Sequence, residues 1–394
     1  MRMSYNNVLI AVCLPALLAI ACERETLVEE PGDLIRISAT GEDVQTRGLL
    51  NAADLPKVGT EVKVYDYLTG FTGKIGEQSY TNGNVMYIAD EVECATAGTE
   101  SAPKGDWKFK TADWRWTRSG VHHFFGWLKS DNSGTSPLTS PFGESFDEAT
   151  RKLTVPAFTI ADDTPQFDFS YSNIVTKTAP EDVEIPLKHL FTALKVQVKN
   201  TIPSELKDFS VSFSGIMNRR SATIDYSATP SAAGETDVTA DYEGDALADF
   251  ILANAQVTTI PAAPTATEAN PDPTNDPVAL YTDNDGYLLL WPQDRLGTVT
   301  GATETEEGDP VSTATVSFSI GDDTYVNTLT GSLAGIFPDN KMEAGKKYTL
   351  TIIVSPIEIK FKVIVDPLDE YYYGRDDNAE DTNTNDYPDY LIKL

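Results

Sequence analysis

The side chains with chemistry to offer are few and scattered. Two of the three histidines, His122 and His123, adjoin in VHHFFGWL. On a strand they project to opposite faces, and two imidazoles with no Cys or carboxylate at ligand spacing make a weak metal site. No nucleophile elbow, phosphate loop or zinc-protease helix spacing occurs. Asp283-Asn284-Asp285-Gly286 has part of a calcium-loop pattern. Tyr281 stands at its first position, however, and no Glu closes it, so it reads as a hairpin turn. Asp376 to Asp386 (DDNAEDTNTND) reads as a solvated linker before it reads as a calcium site. Trp107, Trp114, Trp116 and Trp127 offer rings that stack on sugars, although tryptophans in strand-like surroundings more often fill a core. These residues point to no catalysis, no cofactor and no metal.

The cysteines carry clearer chemistry. There are three, and only Cys94 lies in the body of the chain, so disulfides do not staple the fold. Val8 to Ala21 (VLIAVCLPALLAIA) behind Arg2 is a signal-peptide core, too short for the ~20 apolar residues of a membrane span. It ends in Ala19-Ile20-Ala21-Cys22, which resembles a bacterial lipobox, small residues before a Cys whose thiol takes a diacylglycerol. Ala19 stands where Leu is usual, with Leu18 one place earlier. An ordinary secretory signal followed by a buried Cys is the other reading. Each acyl CH₂ entering a bilayer contributes ~0.8 kcal/mol, so two or three chains anchor a protein where one is marginal. Cys22 is expected to be such a tether. The acidic CERETLVEE that begins there fits an exposed leader and resembles the surface-export signal of Bacteroidetes lipoproteins.

The elements around these residues read as strands. The chain has 394 residues, 41% hydrophobic and 23% charged, which is globular and long enough for two domains. Sixty acidic against 30 basic residues give a net charge of −30, which excludes nucleic acid as a partner. Apolar residues repeat with period two at Val62 and Val64, at Leu194, Val196 and Val198, at Phe209, Val211 and Phe213, at Val316, Phe318 and Ile320, and through Ile357 to Val365. Tyr348 to Val354 precedes that last run, with Ser355-Pro356 as a turn between them. No sustained helical period occurs, although YEGDALADFILAN at Tyr242 to Asn254 allows a short helix. The stretch TKTAPED places a domain joint near residue 180, and Pro261 to Pro277 is too rich in Pro, Thr and acid for a strand. After polar residues from Gly374 to Pro388 comes an apolar ending in which Tyr390, Ile392 and Leu394 share one face of an extended strand.

Four features in order make the chain resemble the fimbrillins of the Bacteroidales, the type V pilins of the major-fimbrillin and Mfa-like group. The first is the lipoprotein signal with its leader. The second is Val44-Gln45-Thr46-Arg47-Gly48 followed by VGTEVKVYDY. The third is Ile185-Pro186-Leu187-Lys188-His189-Leu190-Phe191 running into ALKVQV. The fourth pairs Leu288-Leu289-Leu290-Trp291-Pro292-Gln293 with Glu343-Ala344-Gly345-Lys346-Lys347-Tyr348-Thr349-Leu350. Asp366-Pro367 stands where the family commonly has Trp after its final strand.

The resemblance implies an all-β chain of two transthyretin-like, Greek-key β-sandwich domains in tandem with few short helices. Residues 1–21 would be the signal peptide and 22–47 a leader removed by proteolysis. Residues 48–180 and 181–368 would be the two domains, and 369–394 an acidic linker with a candidate donor strand. It further implies a structural pilin subunit of a surface fimbria that supports adhesion. Such a subunit is exported as an outer-membrane lipoprotein on Cys22 and cut between Arg47 and Gly48 by an Arg-specific, trypsin-like protease. It polymerises with other pilin subunits by donor-strand exchange and meets a host or bacterial surface ligand. Leu34-Ile35-Arg36-Ile37-Ser38 reads as a short leader strand whose departure opens an apolar groove, and Tyr390, Leu391, Ile392 and Leu394 are the donor candidates. A C-terminal strand folded back on its own domain is the other reading of that tail. A non-polymerising surface lipoprotein that binds glycans through exposed tryptophans, or an anchor subunit that keeps its leader, stands as the alternative function.

Overall fold

The computed structural model describes residues 33–41, 58–99, 105–131, 138–160, 167–251, 257–265, 276–281, 286–294, 296, 314–321, 326–333, 335–355, 358–367 and 390–393. Cys22, Arg47, Gly48, Leu394, the loop at Asp283 to Asp285 and the acidic stretch at Asp376 to Asp386 lie outside them. Among the described residues the regular secondary structure is almost entirely strand, arranged as tandem β-sandwiches from three sheets.

The first sheet runs in the order β1 (Ile37–Gly41), β11 (Val183–His189), β9 (Ser170–Ser172), β5 (Val121–Asp131), β2 (Glu61–Ile75), β3 (Gln78–Thr96) and β4 (Asp106–Phe109). Strands β6 (Leu138–Thr139), β10 (Ile174–Lys177) and β14 (Gly234–Thr236) attach to it. The second sheet is β16 (Val278–Ala279), β12 (Thr192–Asn200), β20 (Lys346–Val354), β21 (Glu358–Pro367) and β22 (Tyr390–Lys393), with β17 (Tyr287–Leu290) also on β12. The third is β19 (Val326–Ser332), β18 (Thr315–Gly321), β13 (Lys207–Asp225), β8 (Lys152–Thr159) and β7 (Ser145–Asp147), with β15 (Ala240–Ile251) on β13.

Two hydrophobic cores result, and they interleave in the sequence. Val62, Val64, Phe125, Trp127, Val183 and Ile185 belong to the first, and Val196, Phe209, Val316, Leu350 and Phe361 to the second. The third sheet serves both. The first half of β13 gives Phe209, Val211, Phe213 and Ile216 to the second core, and Ala222 and Ile224 beyond its middle enter the first. Its partner on one edge changes accordingly, from β18 up to Ser214 to β8 from Arg219. Gly215 takes φ 70° between them, a left-handed conformation suited to glycine where the strand bulges.

One local expectation changes. Tyr242 to Ile251 lie in β15 and not in a helix, because β13 offers an edge to pair with from Ile224↔Ala240 to Ser212↔Ile251; a tertiary partner overrides a weak local preference. The acidic loop before Gly286 lies outside the described residues, with Tyr281 and Gly286 flanking it. Its flanking strands β16 and β17 do not pair with each other but follow one another along the same edge of β12, at Gln197↔Ala279 and Lys195↔Tyr287. Ser355-Pro356 does separate two antiparallel neighbours, with Val354 opposite Ile359.

Candidate functional site

Residues 33–41, upstream of Arg47, lie inside the first sandwich. Strand β1 pairs in parallel with β11 from Ile37↔Val183 to Gly41↔Leu187. Just before it, Val183 N–H donates to Arg36 O at 2.9 Å on the same side. On the opposite side Trp116 N–H donates to Asp33 O and Ile35 N–H to Trp114 O, both at 2.9 Å, with Leu34 bridged antiparallel to Arg115. The segment is thus hydrogen-bonded on both flanks. Alternation of the pleat turns Ile35, Ile37 and Ala39 inward, 5%, 6% and 1% exposed, while Leu34 is 47% exposed and Arg36 also faces out. A cavity of about 470 Å³ follows the strand, bounded by Trp107, Phe109, Trp114, Asp182 and Val183.

Three of the family-like motifs meet where the two cores join. Phe191 and Trp291 pack edge to face at 4.8 Å, and Gly345 N–H donates to Phe191 O at 2.8 Å. Trp291 Nε1 donates to Phe158 O at 2.8 Å. Gln293 is buried opposite the middle of β13. It accepts from Met217 N–H at 2.7 Å and donates to Met217 O at 2.8 Å, so its amide bonds both backbone groups of Met217. Beside it Arg220, 4% exposed, donates to Pro292 O and to Asp294 Oδ2, both at 2.6 Å.

The histidines belong to this framework. The side chains of His122 and His123 do have separate partners, although Asp66 Oδ1 also accepts from the His123 backbone N–H at 3.1 Å. His122 Nδ1 lies 2.6 Å from Asp66 Oδ2 and its Nε2 2.8 Å from Thr117 Oγ1. His123 sits 3.0 Å from Thr69 Oγ1 and 3.2 Å from Thr176 Oγ1. All of Asp66, His122 and His123 are buried. Burial pushes the Asp66 carboxyl up against the opposing pull of His122, and burial, with the nearby Arg151 and His122, lowers His123 to about 4. His189 forms a second buried pair with Asp168 at 2.5 Å. Spacing gave no sign of Asp66 as a partner of His122, 56 positions away. The available signal was a charged residue continuing the inward face of Val62 and Val64.

Trp107, Trp116 and Trp127 are buried, and Trp114, half-buried, donates from Nε1 to Asp90 Oδ2 at 2.8 Å. These rings are walls and core, not an exposed stacking platform. Cys94 is buried, with its thiol pushed up to about 11 by that burial. At the far end of the chain, β22 lies antiparallel on β21, with Tyr390 opposite Phe361 and Ile392 opposite Ile359.

The model of the fimbrillin-like family matches residues 59–367. No curated protein matches the chain. Among solved structures, it is similar to a candidate cell adhesion protein from Bacteroides uniformis, at 12% identity over 85% of this chain and 98% of that one, with TM-score 0.46. A fimbrial assembly protein from Parabacteroides distasonis matches at 12% over 84% and 97%, TM-score 0.36. The C-terminally truncated tip fimbrial protein Mfa3 from Porphyromonas gingivalis matches at 12% over 85% and 100%, TM-score 0.34.

Proposed function

This chain belongs to the fimbrillin-like family, whose role is structural and not catalytic, and on that premise we propose that it is a pilin subunit activated by loss of its leader. Lipidation of Cys22 carries it to the outer surface, an Arg-specific protease cuts between Arg47 and Gly48, and the vacated groove takes a donor strand from another subunit. The tail around Tyr390, Leu391, Ile392 and Leu394 is the donor, and the resulting fimbria supports adhesion.

The observation that carries this reading is the seat of β1. It lies upstream of Arg47, so one cut severs it from the domain it completes, and its inward side chains plug the first core. Burying Ile35 and Ile37 contributes ~1.5–3 kcal/mol each, enough to hold the leader until a competing strand arrives with equivalent side chains and main-chain bonds.

Processing is tested in cells and with purified protein. Mass spectrometry of the polymer's N-terminus is expected to find Gly48, and an Arg47→Ala chain is expected to stay monomeric after treatment with the Arg-specific protease. Polymers from Arg47→Ala, or a surface form holding only lipidated Cys22, would overturn the processing step.

A further inference from the structure

The last four residues repeat the leader strand. Leu391-Ile392-Lys393-Leu394 matches Leu34-Ile35-Arg36-Ile37 position by position, with a base in the third place of both and a proline, Pro388 and Pro31, three residues before each first Leu. The dipeptide Leu-Ile followed by a basic residue occurs nowhere else in the chain. In the leader the pattern has a structural meaning. Ile35 and Ile37 fill the groove, Arg36 faces out, and the main chain bonds to Trp114, Trp116 and Val183.

Resting on the reading of this protein as a strand-exchanging pilin, we propose that the tail of a second copy enters the groove in the leader's own register, parallel to β11. Ile392 takes the place of Ile35 and Leu394 that of Ile37. Lys393 replaces Arg36, whose neighbour in the parallel register is Asp182, one step before Ile37↔Val183, and Asp182 lines the same groove. A base opposite Asp182 is therefore kept in both occupants. The Ile392 N–H then donates to Trp114 O and Val183 N–H to Lys393 O, as Ile35 and Arg36 do now. This arrangement differs in direction from the seat of β22 on its own β21, where the strands are antiparallel. The tail thus has two edges to choose between, and loss of the leader opens the second.

Cysteine pairs read the register, because neighbouring Cα atoms on paired strands fall within the ~4.4–6.8 Å that a disulfide spans. Leader-free chains carrying Asp182→Cys are mixed with chains carrying Lys393→Cys under mild oxidation, with Tyr390→Cys as the comparison. The expected result is an intermolecular 182–393 disulfide in most of the polymer, with little or none at 182–390. Polymer that links at 390 instead leaves strand exchange standing and overturns the register. A chain carrying Lys360→Cys and Leu391→Cys, which face each other in the folded-back tail, closes the remaining arm. If it links within one chain in the polymer as fully as in the monomer, the tail is not the donor. Leader-free chains that form no polymer at all defeat the parent reading, and the proposal with it.

Discussion

At the scale of single residues, the buried polar groups set the protein's response to acid. His123 is fully buried, and desolvation with the charges of Arg151 and His122 lowers it to about 4, against roughly 6.5 in an unfolded chain. A histidine depressed in this way contributes its full stability above the unfolded value. As pH falls from ~6.5 toward 4 the unfolded chain takes up the proton first, so stability falls across that window and levels off below it. The full shift corresponds to at most ~3.5 kcal/mol. Denaturant titrations at pH 7.5, 5.5 and 4 are expected to show this decline, and His123→Gln to flatten it; an equal decline in the variant would remove His123 as its source. Glu61 and Glu91 act in the same direction at lower pH. Burial raises them, but hydrogen bonds and charges from Lys110 and Lys129 outweigh it and hold both below the usual range. Sequence alone showed that His122 and His123 have different surroundings, since adjacent strand residues must. It could not pair Asp66 with His122 or Asp168 with His189, because a carboxylate brought in from another strand leaves no trace of its partner in spacing.

At the scale of elements, the strand pattern was legible and the pairing was not. The period-two runs that begin at Val62, Leu194 and Phe209, and the one from Ile359 to Val365, all lie in strands, because one buried face imposes that period wherever it occurs. Leu34 to Ser38 were also readable as a strand, but the paired part runs on to Gly41, since β11 offers partners up to Leu187. Pairing decides which arginine a protease can reach. Arg36 is exposed, yet its carbonyl is bonded to Val183 and its neighbour Ile35 to Trp114, and a protease must bind its substrate as an extended strand of its own. Arg47 comes six residues after Gly41, the last position of this strand paired among the described residues. Limited digestion with trypsin is therefore expected to cut after Arg47 well before Arg36. Replacing Ile35 and Ile37 together by Ala, at ~2–5 kcal/mol for each buried Ile, should free the strand and bring cutting at Arg36 to a comparable rate. N-terminal sequencing of timed samples decides it, and rapid cutting after Arg36 in the unaltered chain would mean that β1 does not protect its own backbone.

At the scale of the whole molecule, the two sandwiches are tied by strands they share. The sequence could suggest two β domains but not that one 19-residue strand, β13, runs through both cores, because periodicity records that a face is buried and not what buries it. Where β13 leaves β18 and has not yet met β8, Met217 depends on the Gln293 side chain for both of its backbone bonds on that edge. Gln293→Ala leaves the partly buried N–H and C=O of Met217 without these partners, at up to ~1–3 kcal/mol each, and places that loss at the joint between cores. The chain's five tryptophans report on one side only, since Trp107, Trp116, Trp127 and Trp291 lie in the first core and Trp114 packs against it. Far-UV circular dichroism reports both. In the unaltered protein the two signals are expected to follow one urea transition, because neither core can melt without unpairing the strand that the other holds. In Gln293→Ala the midpoint should fall and the two curves separate, as the joint loosens before either core does. Curves that still coincide after a loss below ~1 kcal/mol would show that β13 couples the sandwiches without help from Gln293.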